Sequence, residues 1–250
     1  MKFNVSDYLT ALDNQPFGKH ILYIPTSTST NDEIWMKFTN DDHLLIISDK
    51  QTAGRGQRGN EWISKEYQSL TFSLGLIDDN INSSLLSLKC AIAISRAIKS
   101  STGISTSIKW PNDILINNKK VAGILIESKK INNKEVLNIG IGINVNLDID
   151  NIDQELKSRI TSLNIEANQQ CSREIILAEC IKSLDSLLYK DNQLIINDWI
   201  QLCGHINKEL SFHHCNKKIK GIFTGIDKNG RAMIKNNGKT NFYFSGILEY

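Results

Sequence analysis

The sequence predicts an α+β fold, a mixed β-sheet flanked by helices, with a small β-barrel at the C-terminus. Three observations carry this. Between residues 113 and 146 strand-like runs follow one another with only short Asn-rich turns between them, and such local pairing argues for an antiparallel or mixed sheet rather than a doubly wound one. Two long segments, 83–100 and 172–190, carry apolar residues at helical spacing. From about Lys208 the texture changes to short strands broken by Asp227-Lys-Asn-Gly230 and Asn237-Gly238, the pattern of closely spaced hairpins. The expected organisation is therefore one larger unit, residues 1–204, and a small barrel, residues 205–250.

Taken in order, "HILYIP" (20–25) and "HLLIISD" (43–49) read as buried strands. "STNDEIWMKF" between them opens with hydroxyl and amide residues and reads as a capped helix. "SLTFSLGL" (69–76) alternates like a strand, and 83–100 is apolar on most faces, as a largely buried helix would be. "DILINNKKVAGILIES" forms a hairpin about Asn117-Asn118. "INNKEVLNIGIGINVN" turns at Asn132-Asn133 into a long strand. In "SREIILAECIKSLDSLLYK", Leu177, Cys180, Ile181, Leu184 and Leu188 share one helical face, with Ser172 as the cap.

Composition bounds the function. The 250 residues are 40% hydrophobic and 22% charged, with a formal net charge of +2, too balanced to predict nucleic-acid binding. The N-terminus lacks the apolar core and small-residue cleavage site of a signal peptide, and no apolar run is long enough for a bilayer. Five scattered cysteines without a CxxC pair suit a reduced, cytoplasmic protein.

Three stretches carry chemistry. In "TAGRGQRGNEW" (52–62), glycines let backbone N–H groups approach a ligand, and Arg55 and Arg58 offer forks suited to phosphate or carboxylate. The alternative is a solvated turn. It is not a Walker loop, because the GKS/GKT ending is missing. In "KWPNDILINNKKVAGILIE" (109–127), Pro111 breaks the strand where Asn112 and Asp113 appear. Asp113 could orient a lysine, sit near a metal, or merely cap a turn; Lys120 could be a solvated hairpin lysine. In "NIGIGINVN" (138–146), Gly140 and Gly142 strip one strand face, either for something flat or bulky lying across it or for tight packing against a helix.

In this order, Ser29-Thr30-Asn31, "GRGQRGNEW", "KWPND" with "KKVAGILIE", and "GIGINVN" resemble the biotin protein ligase family, from about residue 20 to the C-terminus. The resemblance implies a class II synthetase-like catalytic fold and a two-step reaction. Biotin and ATP give biotinyl-5′-AMP and pyrophosphate, and biotin then passes to one lysine of a biotin carboxyl carrier protein. It implies that Arg55 and Lys120 act on the carboxylate and phosphate oxygens. Ser29, Thr30, Asn31, Gln51, Gly56, Gln57 and Gly123 join those two around biotin. Arg58, Trp62, Asn112 and Asn144 serve the nucleotide, Trp62 packing when the loop closes. Mg²⁺ is implied by ATP, with no dedicated protein cage, and members are often homodimers. A mobile cover is expected, because a mixed anhydride hydrolyses in water.

The chain departs from the family at two places. Many members carry arginine where Gln57 stands, which removes a cation from the loop. The chain ends "SGILEY", so the arginine that many members have there is not carried over. Some members also bear an N-terminal winged helix of about sixty or more residues. With Ser29 already in the motif, a ligase without DNA binding is expected. A lipoate or octanoate ligase of related fold is the alternative activity, and "KWPND" favours biotin. Zinc at His205, His213, His214 and Cys215 is disfavoured, because consecutive strand residues alternate faces.

Overall fold

The computed structural model describes all residues except 40–42, 78–80, 82, 132–133, 150–151, 215–216 and 250. The expected turn at Asn132-Asn133 and the residue Cys215 fall outside the described residues. The larger sheet has seven strands: β1 (Ile21–Ser27), β2 (His43–Gln51), β3 (Ser69–Leu76), β4 (Ser107–Lys109), β5 (Asp113–Ile116), β6 (Lys119–Ile131) and β7 (Lys134–Asn144). Their spatial order is β1-β2-β3-β7-β6-β5-β4. Only β1 and β2 run parallel; the other neighbours are antiparallel, so the sheet is mixed. The parallel pair needs a crossover, and helix α2 (Thr30–Lys37) supplies it. The hairpin between β5 and β6 turns on Asn117 and Asn118, both at positive φ (50° and 62°), the geometry a two-residue Asn turn adopts readily.

Alternation sorts the two faces. On β3, Leu70, Phe72, Leu74 and Leu76 face the main core, under α1 (Val5–Leu12), α3 (Leu86–Thr102) and α6 (Arg173–Leu188). Ser69, Thr71, Ser73 and Gly75 point to the opposite face, where Ile34 of α2 and Phe38 just after it pack against Leu44, Ile46 and Val136. A Cβ at Gly75 would stand 2.6 Å from the Phe38 ring, so glycine lets α2 lie close. Helix α6 buries Leu177, Cys180, Ile181, Leu184 and Leu188, and the Ser172 side chain accepts the Ile175 N–H as its cap.

Two expectations are corrected. β1 is not a buried strand but the sheet edge, with Leu22 38% exposed; Ile21 and Tyr23 are half-buried against the main core and Ile24 against the α2 side. Ser29 is the N-cap residue of α2 but makes no side-chain capping bond. Gln51 takes that task from β2: its Oε1 accepts the Thr30 N–H at 2.7 Å.

The remaining helices are α4 (Gln154–Arg159), α5 (Leu163–Ala167) and α7 (Asn192–Leu202), and none of the described helices is long and apolar enough to cross a membrane. The C-terminal strands are β8 (Glu209–His214), β9 (Lys217–Ile226), β10 (Ala232–Asn236), β11 (Lys239–Tyr243) and β12 (Ile247–Glu249). They form a separate antiparallel sheet in the order β11-β10-β9-β8-β12. It rolls on itself: Phe212 of β8 and Tyr243 of β11, three strands apart, bring their rings to 4.5 Å. Trp110 joins it to the larger sheet, its indole N–H donating to Gly230 O at 3.1 Å and its ring 6.2 Å from that of Phe212.

Candidate active site

Register builds the floor of the site. Ser48, Thr71, Gly142, Gly123, Asp113 and Lys109 align across six neighbouring strands. The next row sets Ser73 against Gly140 and Gly140 against Leu125. The middle of the sheet therefore presents small or hydroxyl side chains, with ionisable groups at one end.

Both readings of the stripped strand hold, one per glycine. A Cβ on Gly140 would stand 2.2 Å from Asn31 Oδ1, so that glycine admits helix α2. A Cβ on Gly142 would stand 2.3 Å from Cε2 of Trp62, so this one admits a flat ring. The indole Nε1 of Trp62 is buried and has no hydrogen-bond partner among the described residues.

The glycine-rich loop is a tight hairpin in which the Gly56 N–H donates to Asn60 O at 2.7 Å and the Trp62 N–H to Gly54 O at 2.9 Å. Gly54 is required there: a Cβ would lie 2.5 Å from Trp62 O. The two arginines point to different places. Arg55 Nη2 donates to Asp32 at 2.7 Å and to Glu127 at 3.3 Å. Arg58, at φ 58°, sends Nη2 to Gly246 O of the C-terminal unit at 2.6 Å.

Around this floor lies a cleft lined by Thr30, Asn31, Gln51, Arg55, Gly56, Gln57, Trp62, Asn112, Lys120 and Gly123, together with Thr71, Gly140 and Gly142. Its volume of about 50 Å³ is room for a few waters while the Trp62 ring lies in place. Of the residues expected around biotin, only Ser29 does not line it; Ser29 is buried at the start of α2. Ser73 Oγ stands 2.6 Å from Asn31 Oδ1 and 2.7 Å from Thr30 Oγ1, fixing both side chains. The Asn112 amide donates to Ile124 O at 2.8 Å, pinning the bend after Pro111 to β6.

A β-bulge places Lys120. In the pairing of β5 with β6, Ile114 faces Ala122 but Leu115 faces Lys120, so Val121 is the extra residue. Residues 120 and 123 of a regular strand point to opposite faces; the bulge resets that alternation. Val121 is fully buried, and the Lys120 side chain lies over Gly123, its Nζ 2.6 Å from Asp113 Oδ1 and 5.8 Å from the centre of the Trp62 ring. Asp113 thus orients the lysine.

Beyond Trp62 a second cleft opens, lined by Trp62, Ile63, Lys120, Asn144, Leu147, Ile152, Leu156 and Ile160. The Asn144 amide donates to Thr161 O at 3.0 Å, which ties β7 to the segment bearing this apolar wall. A wider groove continues past Lys109, Asp113, Lys120, Arg159 and Lys208. Burial lowers the pKa of Lys109 below the ordinary lysine value, against the opposing pull of Asp113. Lys120 lines all three spaces.

Sequence reasoning missed the hydroxyls Thr71 and Ser73, the carboxylates Asp32 and Glu127, and the apolar wall of Leu147, Ile152, Leu156 and Ile160. The first pair had a signal, hydroxyls at alternate positions of an apolar strand. The wall had none, because its residues meet only through the fold. Among the described residues no three His, Cys, Asp or Glu side chains converge as a metal cage.

Residues 22–146 match the model of the biotin/lipoate A/B protein ligase family. The chain is 37% identical to the bifunctional ligase/repressor BirA of Bacillus spizizenii, an alignment covering 99% of this chain and 79% of that protein. It is 28% identical to the biotin–[acetyl-CoA-carboxylase] ligase of Paracoccus denitrificans over 76% of this chain and 83% of that one. A solved biotin protein ligase from Aquifex aeolicus, in complex with biotin and ATP, superposes with a TM-score of 0.81 at 28% identity, covering 92% of this chain and 98% of that one.

Proposed function

The chain belongs to the biotin/lipoate A/B protein ligase family, and on that premise we propose how its residues work as a biotin protein ligase. It activates biotin with ATP to biotinyl-5′-AMP and passes the biotinyl group to a lysine of a biotin carboxyl carrier protein. The observation that carries the residue assignment is the position of Lys120, at the junction of the loop-covered cleft and the apolar cleft beyond Trp62.

In this reading biotin lies over Gly142 and Gly123, where the Trp62 ring rests in its absence, with its polar ring toward Thr30, Asn31 and Gln51. The adenine takes the apolar wall of Leu147, Ile152, Leu156 and Ile160, against Trp62. The carboxylate and the α-phosphate then meet at Lys120. In the first step a biotin carboxylate oxygen bonds to the α-phosphorus and the bond to pyrophosphate breaks. Both reactants are anions, so a fixed cation must offset their repulsion as charge gathers at phosphorus. Asp113 holds the Lys120 ammonium in place, and loop N–H groups beside Gly56 add donors. In the second step the neutral amine of the carrier lysine attacks the acyl carbon, AMP leaves with the bonding pair, and the amine loses its proton.

Trp62 must shift when substrate enters, since a cleft of about 50 Å³ is too small for a biotin-sized ligand. Mg²⁺ would enter as part of the nucleotide substrate and offset phosphate charge. The division of the chain at 204/205 is supported by the C-terminal strands, which among the described residues pair only with one another. A homodimer is supported by an open edge: β6 pairs with β7 to Ile131 but with β5 only from Lys119 to Gly123. The net charge of +2 supports the absence of a DNA-binding role.

Mass spectrometry of a biotin carrier domain incubated with this protein, Mg-ATP and either biotin or lipoate tests the activity. Addition of one biotinyl group, with no lipoyl addition, is expected. Lipoyl addition alone would overturn the assignment.

A further inference from the structure

Glu127 has no place in the reaction described above, yet it is the meeting point of the loop and the cleft wall. It stands on β6 opposite Asn138, on the face of the sheet that bears the site. Its Oε2 lies 3.2 Å from Asn31 Nδ2, 3.2 Å from Trp35 Nε1 and 3.3 Å from Arg55 Nη2. Two of these donors belong to helix α2 and the third to the glycine-rich loop. One carboxylate oxygen has two lone pairs, so the three donors share it and are not independent. Arg55 completes the link, since the same Nη2 that reaches Glu127 also donates to Asp32 in the first turn of α2.

We infer that Glu127 is a positioning residue that latches the glycine-rich loop, through Arg55, to the wall carrying Thr30 and Asn31. The latch explains the use of an arginine on so glycine-rich a segment: the fork reaches over the cleft to carboxylates on two other elements. Both contacts use Nη2, so the latch leaves the rest of the guanidinium to an anion in the cleft. Asn31 is the common member, because it lines the cleft and shares the carboxylate oxygen with Arg55. A ligand that draws on the Asn31 amide frees Glu127 for Arg55 and tightens the loop, so occupancy of the pocket and closure of its cover are coupled. The coupling to biotin rests on the ligase reading; the latch itself does not.

The test uses the full chain and the variants Glu127→Gln, Glu127→Asp and Trp35→Phe. Hydrogen exchange of the peptide spanning 52–62 is measured without ligand, and release of biotinyl-5′-AMP is measured by stopped flow. Arg55 and Glu127 are 44% and 29% exposed, so the effect is that of a screened pair. Glu127→Gln should speed both exchange at the Gly56 and Trp62 amides and adenylate release by about three- to fivefold. Glu127→Asp keeps the charge and should recover part of the loss. Trp35→Phe removes a competing donor and keeps the latch, so loop exchange should match wild type or slow. Wild-type exchange and release in Glu127→Gln would overturn the inference. So would an equal rise in Trp35→Phe, which would mean that general packing of α2 holds the loop. If the wild-type protein forms no adenylate, the ligase reading fails while the exchange measurement still decides the latch.

Discussion

Gly142→Ala tests the seat of Trp62 with one methyl group. The new Cβ would lie 2.3, 2.5 and 2.8 Å from Cε2, Cζ2 and Cδ2 of the indole. Carbon atoms pack at about 3.5–4.0 Å, so the ring must retreat by roughly 1 Å or more. β7 cannot yield, because Gly142 sits mid-sheet between Thr71 of β3 and Gly123 of β6. The loop yields instead. Overpacking of this kind costs about 1–3 kcal/mol, and here it falls on the closed loop rather than on the fold. The ligand-free closed loop should therefore weaken by about 5- to 150-fold, and exchange at the backbone amides of Gly56 and Trp62 should speed by a similar factor. Hydrogen exchange of the peptide spanning 52–62 gives that factor, and thermal unfolding should change little. The same substitution in a Trp62→Ala background should be nearly silent, since the cycle isolates the contact between the two residues. Wild-type loop exchange in a folded Gly142→Ala protein would refute the reasoning, as would an equal effect in both backgrounds.

Lys120→Ala should slow adenylate formation by about 10²- to 10³-fold while biotin affinity falls far less, because the ammonium acts on charge that develops at phosphorus; calorimetry with biotin and single-turnover pyrophosphate release separate the two. A large loss of affinity with unchanged chemistry would make Lys120 a binding residue only. Gln57→Arg adds a cation to the lining of the cleft and should slow adenylate release by roughly tenfold at most, since a charge-assisted bond exceeds a neutral one by about 0.5–1.5 kcal/mol; unchanged or faster release at low salt would mean that position 57 does not meet the phosphate. His205 has its pKa lowered to about 3 by burial, then by Lys109 and Lys208. Its folded pKa lies below the unfolded value of about 6.5, so the unfolded chain binds the proton first. Its contribution to stability is present above pH 6.5 and lost as pH falls toward 3. His205→Phe, placed beside the Phe223 ring at 4.3 Å, should flatten the fall in urea midpoint between pH 7 and pH 5. An equally steep fall in the variant would place the acid sensitivity elsewhere.

Much of this protein was legible in its sequence, and for local reasons. Asn117-Asn118 could only be a tight turn between strands, and the glycines at 140 and 142 announced that something lies on β7. Ser172 is the cap its position implies. These features depend on backbone preference and on a period of two or 3.6, which neighbouring residues settle among themselves. Ordered motifs also named the family, because glycines, arginines and lysines in that succession serve one chemistry.

What lies on each glycine was decided only in three dimensions. Asn31 and Trp62 come from elements distant in sequence, and strand register brings them to adjacent rows of the floor. The cap of α2 comes from Gln51 on the next strand, so Ser29, correctly placed for capping, makes no such bond. Above all, alternation along "KKVAGILIE" puts Lys120 and Gly123 on opposite faces. The extra residue at Val121 brings them to the same one. That bulge is a property of the pairing between β5 and β6, not of either strand alone. The sequence determined which side chains this site would use. Pairing between strands decided which way they point, because in a sheet a shift of one residue exchanges the two faces.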